Sequence, residues 1–294
     1  MTSQAQQDAQ YTQYMYNTLS INPAYTGSRD LLSITGLYRT QWVGLEGAPK
    51  TATLSAHSPI SDKMGLGLNI VTDDIFLTRE TYVDAAWSYF IQTSEIGRLS
   101  FGLKVGGHFL DINTARLITG AQDGTDPNTQ IDVNRFSPQL GLGLYYYTDE
   151  FYIGLSAPNV LKTNHFEPSQ TINAVSVARE KISYYLMAGY VFDINKDWEF
   201  KPAGLFKAVE GAPLQLDLST NFRYKEKFTL GAAYRWSAAF SLMGGFQLND
   251  QIMIGVGYDR ETTELAGFNN GSYEIMLRYD LLTRRSNLIS PRFF

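Results

Sequence analysis

The sequence predicts an all-β fold: a transmembrane outer-membrane β-barrel of about 14 antiparallel strands, with an N-terminal arm plugging the lumen. Three observations lead there. Apolar and polar residues alternate with period 2 along most of the chain. The polar face is made mainly of Gly, Ser, Thr, Tyr and Asn, whereas a water-soluble sandwich covers its outer face with Lys, Glu and Asp. The links between strands alternate between short and long.

Composition agrees with this class. The 294 residues include 19 Tyr, 17 Phe, 25 Gly and no Cys, and 18% are charged, against about 25% in soluble domains. Without cysteine there are no disulfides, thiolate metal sites or cysteine nucleophiles. A net charge of −5 argues against a nucleic-acid partner, because phosphate contacts need a basic face. No stretch approaches the roughly 18 apolar residues of a membrane-spanning helix. Mean hydropathy is −0.19, which says little about a barrel, whose strands average lipid-facing and lumen-facing residues. The opening MTSQAQQDAQ lacks the apolar core of a signal peptide, although SQAQ is compatible with the remnant of a cleavage site.

The strands read off in order. LLSITGLYR and TATLSAHS are weak members, followed by MGLGLNI, which sets Met64, Leu66, Leu68 and Ile70 against Gly65, Gly67 and Asn69. YVDAAWSYFI, LSFGLKVGGHF, QLGLGLYYY and FYIGLS continue the series, then ISYYLMAGYVF, WEFKPAGLF, LQLDLSTNFRY and FTLGAAYRW. A segment between the turn near Ser237 and ND at 249–250, then IMIGVGY and SYEIMLRYDL, complete fourteen. Links after even-numbered strands are short: PISDK, TDE, NKD, KEK and ND. Three links on the other rim are long, at about 111–135, 157–181 and 260–270. The short-turn rim is expected to face the periplasm together with both termini. The implied organisation is an arm or plug over 1–29, a barrel over 30–283 and a periplasmic tail over 284–294.

Lumen-facing charges have mixed signs: Asp84, Lys104, Glu199, Lys201, Asp217, Arg223, Arg235, Glu274, Arg278 and Asp280. That favours a cross-linked or plugged interior over a charge-selective channel. The arm, with Tyr14, Met15, Tyr16, Pro23 and Tyr25 among its bulky residues, is too apolar for the periplasm and too polar for lipid. The glycine runs GLGLN, GLGLY and GVGY lie inside strands with no helix to follow, so they are not phosphate loops; they let the wall approach something in the lumen. His57 in SAHSP invites a serine–histidine reading, but no acid–base partner is suggested nearby, and a lumen-facing polar residue is the simpler one. The acidic segment DGTDPN lacks the spacing of a calcium loop. Neither a metal site nor a cofactor is expected.

YRTQWVGLEGAPKT forms the first link on the long-loop rim. Trp42 has two readings there: an interfacial anchor, or a residue that folds over the mouth with Leu45 to meet a plug or a client. Arg39, Trp42, Leu45 and Pro49 are the partner-binding candidates.

QYMYNTLSINPAYTGSRD, YRTQWVGLEGAPKT, LSAHSPI, YIGLSAPNVL and GSYEIMLRY together resemble the PorP/SprF family of type IX secretion outer-membrane proteins. Tyr273 departs from the histidine expected in the closing motif. The resemblance implies residence in the outer membrane of a didermic bacterium, with lipid and lipopolysaccharide around the wall, and no catalysis. It further implies a part in protein export and gliding motility. The implied partners are other secretion components and an exported, adhesin-like surface protein recognised through its type IX C-terminal domain. The alternative reading is a transporter or porin for small hydrophobic or polar solutes.

Overall fold

A computed structural model describes residues 11–113, 133–161 and 181–281. Strands β1 (Leu32–Thr40), β2 (Lys50–Ser61), β3 (Met64–Ile75), β4 (Thr78–Gln92), β5 (Arg98–Ile112), β6 (Val133–Tyr147) and β7 (Phe151–Ala157) form one half of the wall. The other half is β8 (Ser183–Tyr190), β9 (Phe192–Asp193), β10 (Trp198–Val209), β11 (Gln215–Tyr224), β12 (Phe228–Arg235), β13 (Ala239–Gln247), β14 (Ile252–Glu261) and β15 (Ser272–Leu281). Neighbours pair antiparallel, β15 pairs with β1, and β10 pairs with both β8 and β11, so the sheet closes on itself. Closure leaves no free edge among the wall strands, as a lipid-facing sheet requires.

β9 continues β8 in the same register against β10, which makes fourteen wall strands. The break at Val191 lies opposite Lys201, next to Pro202, which has no N–H to give to the ladder. Strands β4, β5 and β6 have 15 residues each, whereas β7 has 7, fewer than the roughly 9–11 that span a bilayer. The chain after β7 still follows β6, with Val160 N–H donating to the Leu140 carbonyl at 2.7 Å. The expected link lengths hold for the described turns, such as 62–63, 148–150 and 225–227 on one rim and 262–271 on the other. Most of the links 111–135 and 157–181, including DGTDPN, lie outside the described residues, as do residues 1–10 and the tail 284–294.

Alternation sorts the side chains as expected. Leu54, Leu66, Leu68, Val105, Leu142, Leu155, Leu218, Leu242, Val256 and Leu277 point outward and stay exposed, a surface that suits lipid. Aromatic rings gather toward the short-turn rim, with Phe151, Tyr190, Phe192, Phe200 and Phe222 in successive contact and Trp198 against Tyr224 at 4.7 Å. Such a girdle sits at the headgroup level of a bilayer.

Residues 11–28 run through the lumen in three short 3-10 turns, Tyr14–Tyr16, Thr18–Ser20 and Pro23–Tyr25. The last is fixed locally by its sequence, since Pro23 presets the first position and Asn22 accepts from the Ala24 N–H at 2.9 Å. The inner wall is cut to this chain by glycine. A Cβ on Gly102 would lie 2.1 Å from the Ala24 nitrogen, one on Gly143 2.1 Å from Asn22 Oδ1, and one on Gly65 2.5 Å from the Thr26 carbonyl oxygen. Within the described residues the arm climbs from the short-turn rim toward the long-loop half, and the termini themselves lie outside the described residues. Gly27 enters at the short-turn rim, and Tyr11 ends beside Thr53, in the long-loop half, because the hydrogen-bond partners of the arm climb the wall in that order.

Gly102→Val is expected to push the arm off the wall and destabilise the barrel by about 1–3 kcal/mol. Gly36→Ala, with nothing within 4 Å of the added carbon, should be close to neutral. Chemical unfolding in micelles checks the difference, and hydrogen exchange should localise the loss to residues 11–28.

Candidate functional site: the plugged lumen

The densest part of the interior is a latch near the long-loop end of β1, β14 and β15. Arg39 faces inward and is 1% exposed. Its guanidinium meets Asp259 at 2.6 Å and Glu274 at 3.3 Å, and it donates to Thr12 Oγ1 at 2.8 Å. The two oxygens of Glu274 accept the Thr12 and Gln13 backbone N–H groups at 3.0 and 2.9 Å, and Thr12 Oγ1 also donates to Asp259. One cation thus holds two carboxylates, and those carboxylates hold the start of the arm. Buried charge survives only when paired and hydrogen-bonded, and here the arm supplies the last bonds.

Below the latch, serines of the wall take up the arm's backbone. Ser156, Ser100 and Ser88 donate to the carbonyls of Ile21, Ala24 and Thr26 at 2.9, 2.6 and 2.6 Å. Ser55 bonds Asn17 Oδ1, and Asn22 reaches the Leu144 carbonyl. His57 receives the Gly27 N–H on Nδ1 at 3.1 Å and meets Tyr25 edge-on, so it anchors the arm. At the short-turn rim Asp280 binds Arg29 at 2.7 Å, Arg278 at 3.2 Å and Ser33 at 2.7 Å, and Asp30 binds Arg98 at 2.9 Å.

The other lumen charges pair across neighbouring strands. Lys104 meets Asp84 at 2.9 Å, Arg235 meets Asp217 at 3.1 Å, and Arg223 holds Glu199 through two nitrogens. Lys201 lies over the Tyr152 ring at 5.4 Å. Tyr14, Met15, Tyr16, Pro23 and Tyr25 are all buried inside the ring. No group of three metal-ligating side chains occurs among the described residues.

The partner-binding candidates separate. Arg39 is withdrawn from any external partner, because its charge is consumed by Asp259, Glu274 and the arm. Pro49 is buried, while Trp42 and Leu45 are half-buried. The Trp42 indole N–H donates to Glu261 at 3.0 Å, and Val43 exchanges backbone bonds with Gly271 and Asn270, so the first link docks on the β14–β15 link. Sequence reasoning missed Asp259, Arg29, Thr12 and Gln13. Asp259 follows the outward-facing Tyr258, and the period-2 parity alone marks it as inward.

The closed ring agrees with the comparisons. The model of the type IX secretion system membrane protein PorP/SprF family matches residues 3–279. The chain belongs to this family. It is therefore an outer-membrane protein and a membrane component of type IX secretion, in a family not known for enzymes. Curated proteins give no match. Among solved structures, the outer membrane protein Omp33 of Acinetobacter baumannii aligns at 7% identity and TM-score 0.51, over 87% of this chain and 100% of that one. The CymD monoaromatic hydrocarbon channel aligns at 12% identity and TM-score 0.51, over 94% of both chains. At such identities the likeness is one of fold.

Arg39→Ala leaves two buried carboxylates uncompensated and should cost about 3–5 kcal/mol. Arg79→Ala, which removes an exposed partner of Asp74, should cost under about 1 kcal/mol. Urea unfolding in micelles separates the two, and limited proteolysis should cut the arm in the first variant alone.

Proposed function

We propose that this barrel is a plugged receptor of type IX secretion, which receives or anchors an exported, adhesin-like surface protein through that protein's C-terminal domain and so serves gliding. The observation that carries this reading is the arm latched into the lumen by Arg39, Asp259 and Glu274. A lumen filled in this way suits binding at the rim better than passage. The long-loop rim is the natural face for the client, since loops on a rigid scaffold are where recognition residues vary most freely. Trp42 and Leu45, on a link braced by Glu261 and Gly271, supply the shared part of that face. The second reading, a channel for small solutes, draws on fold likeness to CymD and requires the arm to leave.

Planar-bilayer recording distinguishes them. The intact barrel should give no steady large current, and deletion of residues 1–28 should open one if the truncated barrel inserts. Large currents from the intact protein would favour the channel. In native membranes the wild type should co-purify with a secreted surface protein, and Trp42→Ala should insert normally yet retain markedly less of it.

A further inference from the structure

A small chamber remains on the long-loop side of the arm, with a volume of about 90 Å³. Ser20 and Ile21 of the arm close its floor, and Tyr11, Tyr82 and Tyr185 give it aromatic surface. Room for roughly six to nine waters is about the volume that one sugar ring displaces.

Its polar groups define what fits. Asn69 and Asp84 are direct cross-strand partners on β3 and β4, both facing inward, and only 4% and 2% exposed. Asp84 Oδ2 accepts from Lys104, and Gly106 leaves space for Oδ1, from which an added Cβ would be 2.1 Å away. Asp84 Oδ1 and Asn69 Oδ1 receive no hydrogen bond from the described residues. Across the chamber, Asn159 Oδ1 accepts from the Leu161 N–H, while its Nδ2 has no acceptor. Buried polar atoms in native proteins are satisfied by protein, water or a ligand, so these three mark where a guest can take the place of water.

The guest must bring two neighbouring donors and one acceptor. Beside the Asp84–Lys104 pair an uncharged guest is opposed by neither group, and Lys181, which also lines the chamber, adds a donor. Adjacent hydroxyls of a sugar ring meet these terms, and their C–H faces suit tyrosine. An extended peptide fits less well, since its N–H groups on one side recur only about every 7 Å. We infer that the chamber binds the terminal unit of a neutral saccharide, held by Asn69, Asp84 and Asn159 against Tyr82 and Tyr185. This assignment stands independently of the exported-protein reading.

The test is saturation-transfer NMR on the full-length barrel in a detergent without sugar headgroups. The probes are maltotriose, uncharged outer-core oligosaccharide freed from lipopolysaccharide, neutral glycans released from secreted surface proteins, and the tripeptide Gly-Asn-Gly. At least one saccharide should bind, with affinity reduced tenfold or more by Asn69→Leu. Asn159→Leu, at a half-buried site, should also weaken binding and serves if the first variant does not fold, as read by heat-modifiable migration. Preference for core oligosaccharide would assign the ligand to lipopolysaccharide, and preference for the released glycans to a glycosylated client. Absence of binding by every saccharide, binding of the tripeptide in their place, or affinities unchanged in the variants would overturn the assignment.

Discussion

A stretch of backbone buried without a sheet or helix partner must find a hydrogen bond for each N–H and C=O, and this requirement shapes the interior of the barrel. Residues 11–28 meet part of this requirement within their own 3-10 turns and turn for the rest to the wall. Glu274 takes two N–H groups, His57 takes one, and serines 88, 100 and 156 take three carbonyls. The wall can deliver those groups only if the arm lies within hydrogen-bond reach of it, and glycines at 65, 102 and 143 permit that approach. Small residues and donors therefore alternate along the inner face as one device. The wall's composition follows from the chain that it holds.

The same requirement explains where the charges sit. Glu274 is useful to the arm only as a carboxylate, and a buried carboxylate needs a cation, which Arg39 provides while also binding Asp259. At the other rim Asp280 gathers Arg29, Arg278 and Ser33, tying the arm where it turns into the first strand. The arm is thus fixed at its start by hydrogen bonds to carboxylates that Arg39 pairs, at its end by the Arg29–Asp280 ion pair, and along its middle by neutral hydrogen bonds. On the lipid side none of this is visible, because leucine, valine and aromatic residues continue around the ring.

Much of this was legible in the sequence. Period 2 gave the strands and sorted Leu66 from Gly67, and the tyrosine-rich arm was too apolar for water and too polar for lipid. The extent of the strands was less legible. TDDI and TRET lie beyond the alternating segments MGLGLNI and YVDAAWSYFI, yet they belong to β3 and β4, which pair up to Ile75 and Thr78. Parity puts Arg39 on the lumen face of β1, but nothing beside it in the chain points to what it binds. Its partners, Asp259 and Glu274, lie at the far end of the chain, and only closure of β1 on β15 brings them near. The serines looked like generic polar filler, since nothing in one strand shows which backbone it will meet.

The central claim is that the arm lies along the inner wall in one fixed register. The native chain has no cysteine, so a double variant, Asn17→Cys with Ser55→Cys, reports on a single pair whose side chains are 2.9 Å apart. Mild oxidation of intact outer membranes should cross-link the pair nearly completely, closing a loop seen as a mobility shift, while Asn17→Cys with Ser241→Cys should stay reduced. Free, maleimide-reactive thiols in the first variant after oxidation, in a barrel that is otherwise folded, would contradict the account.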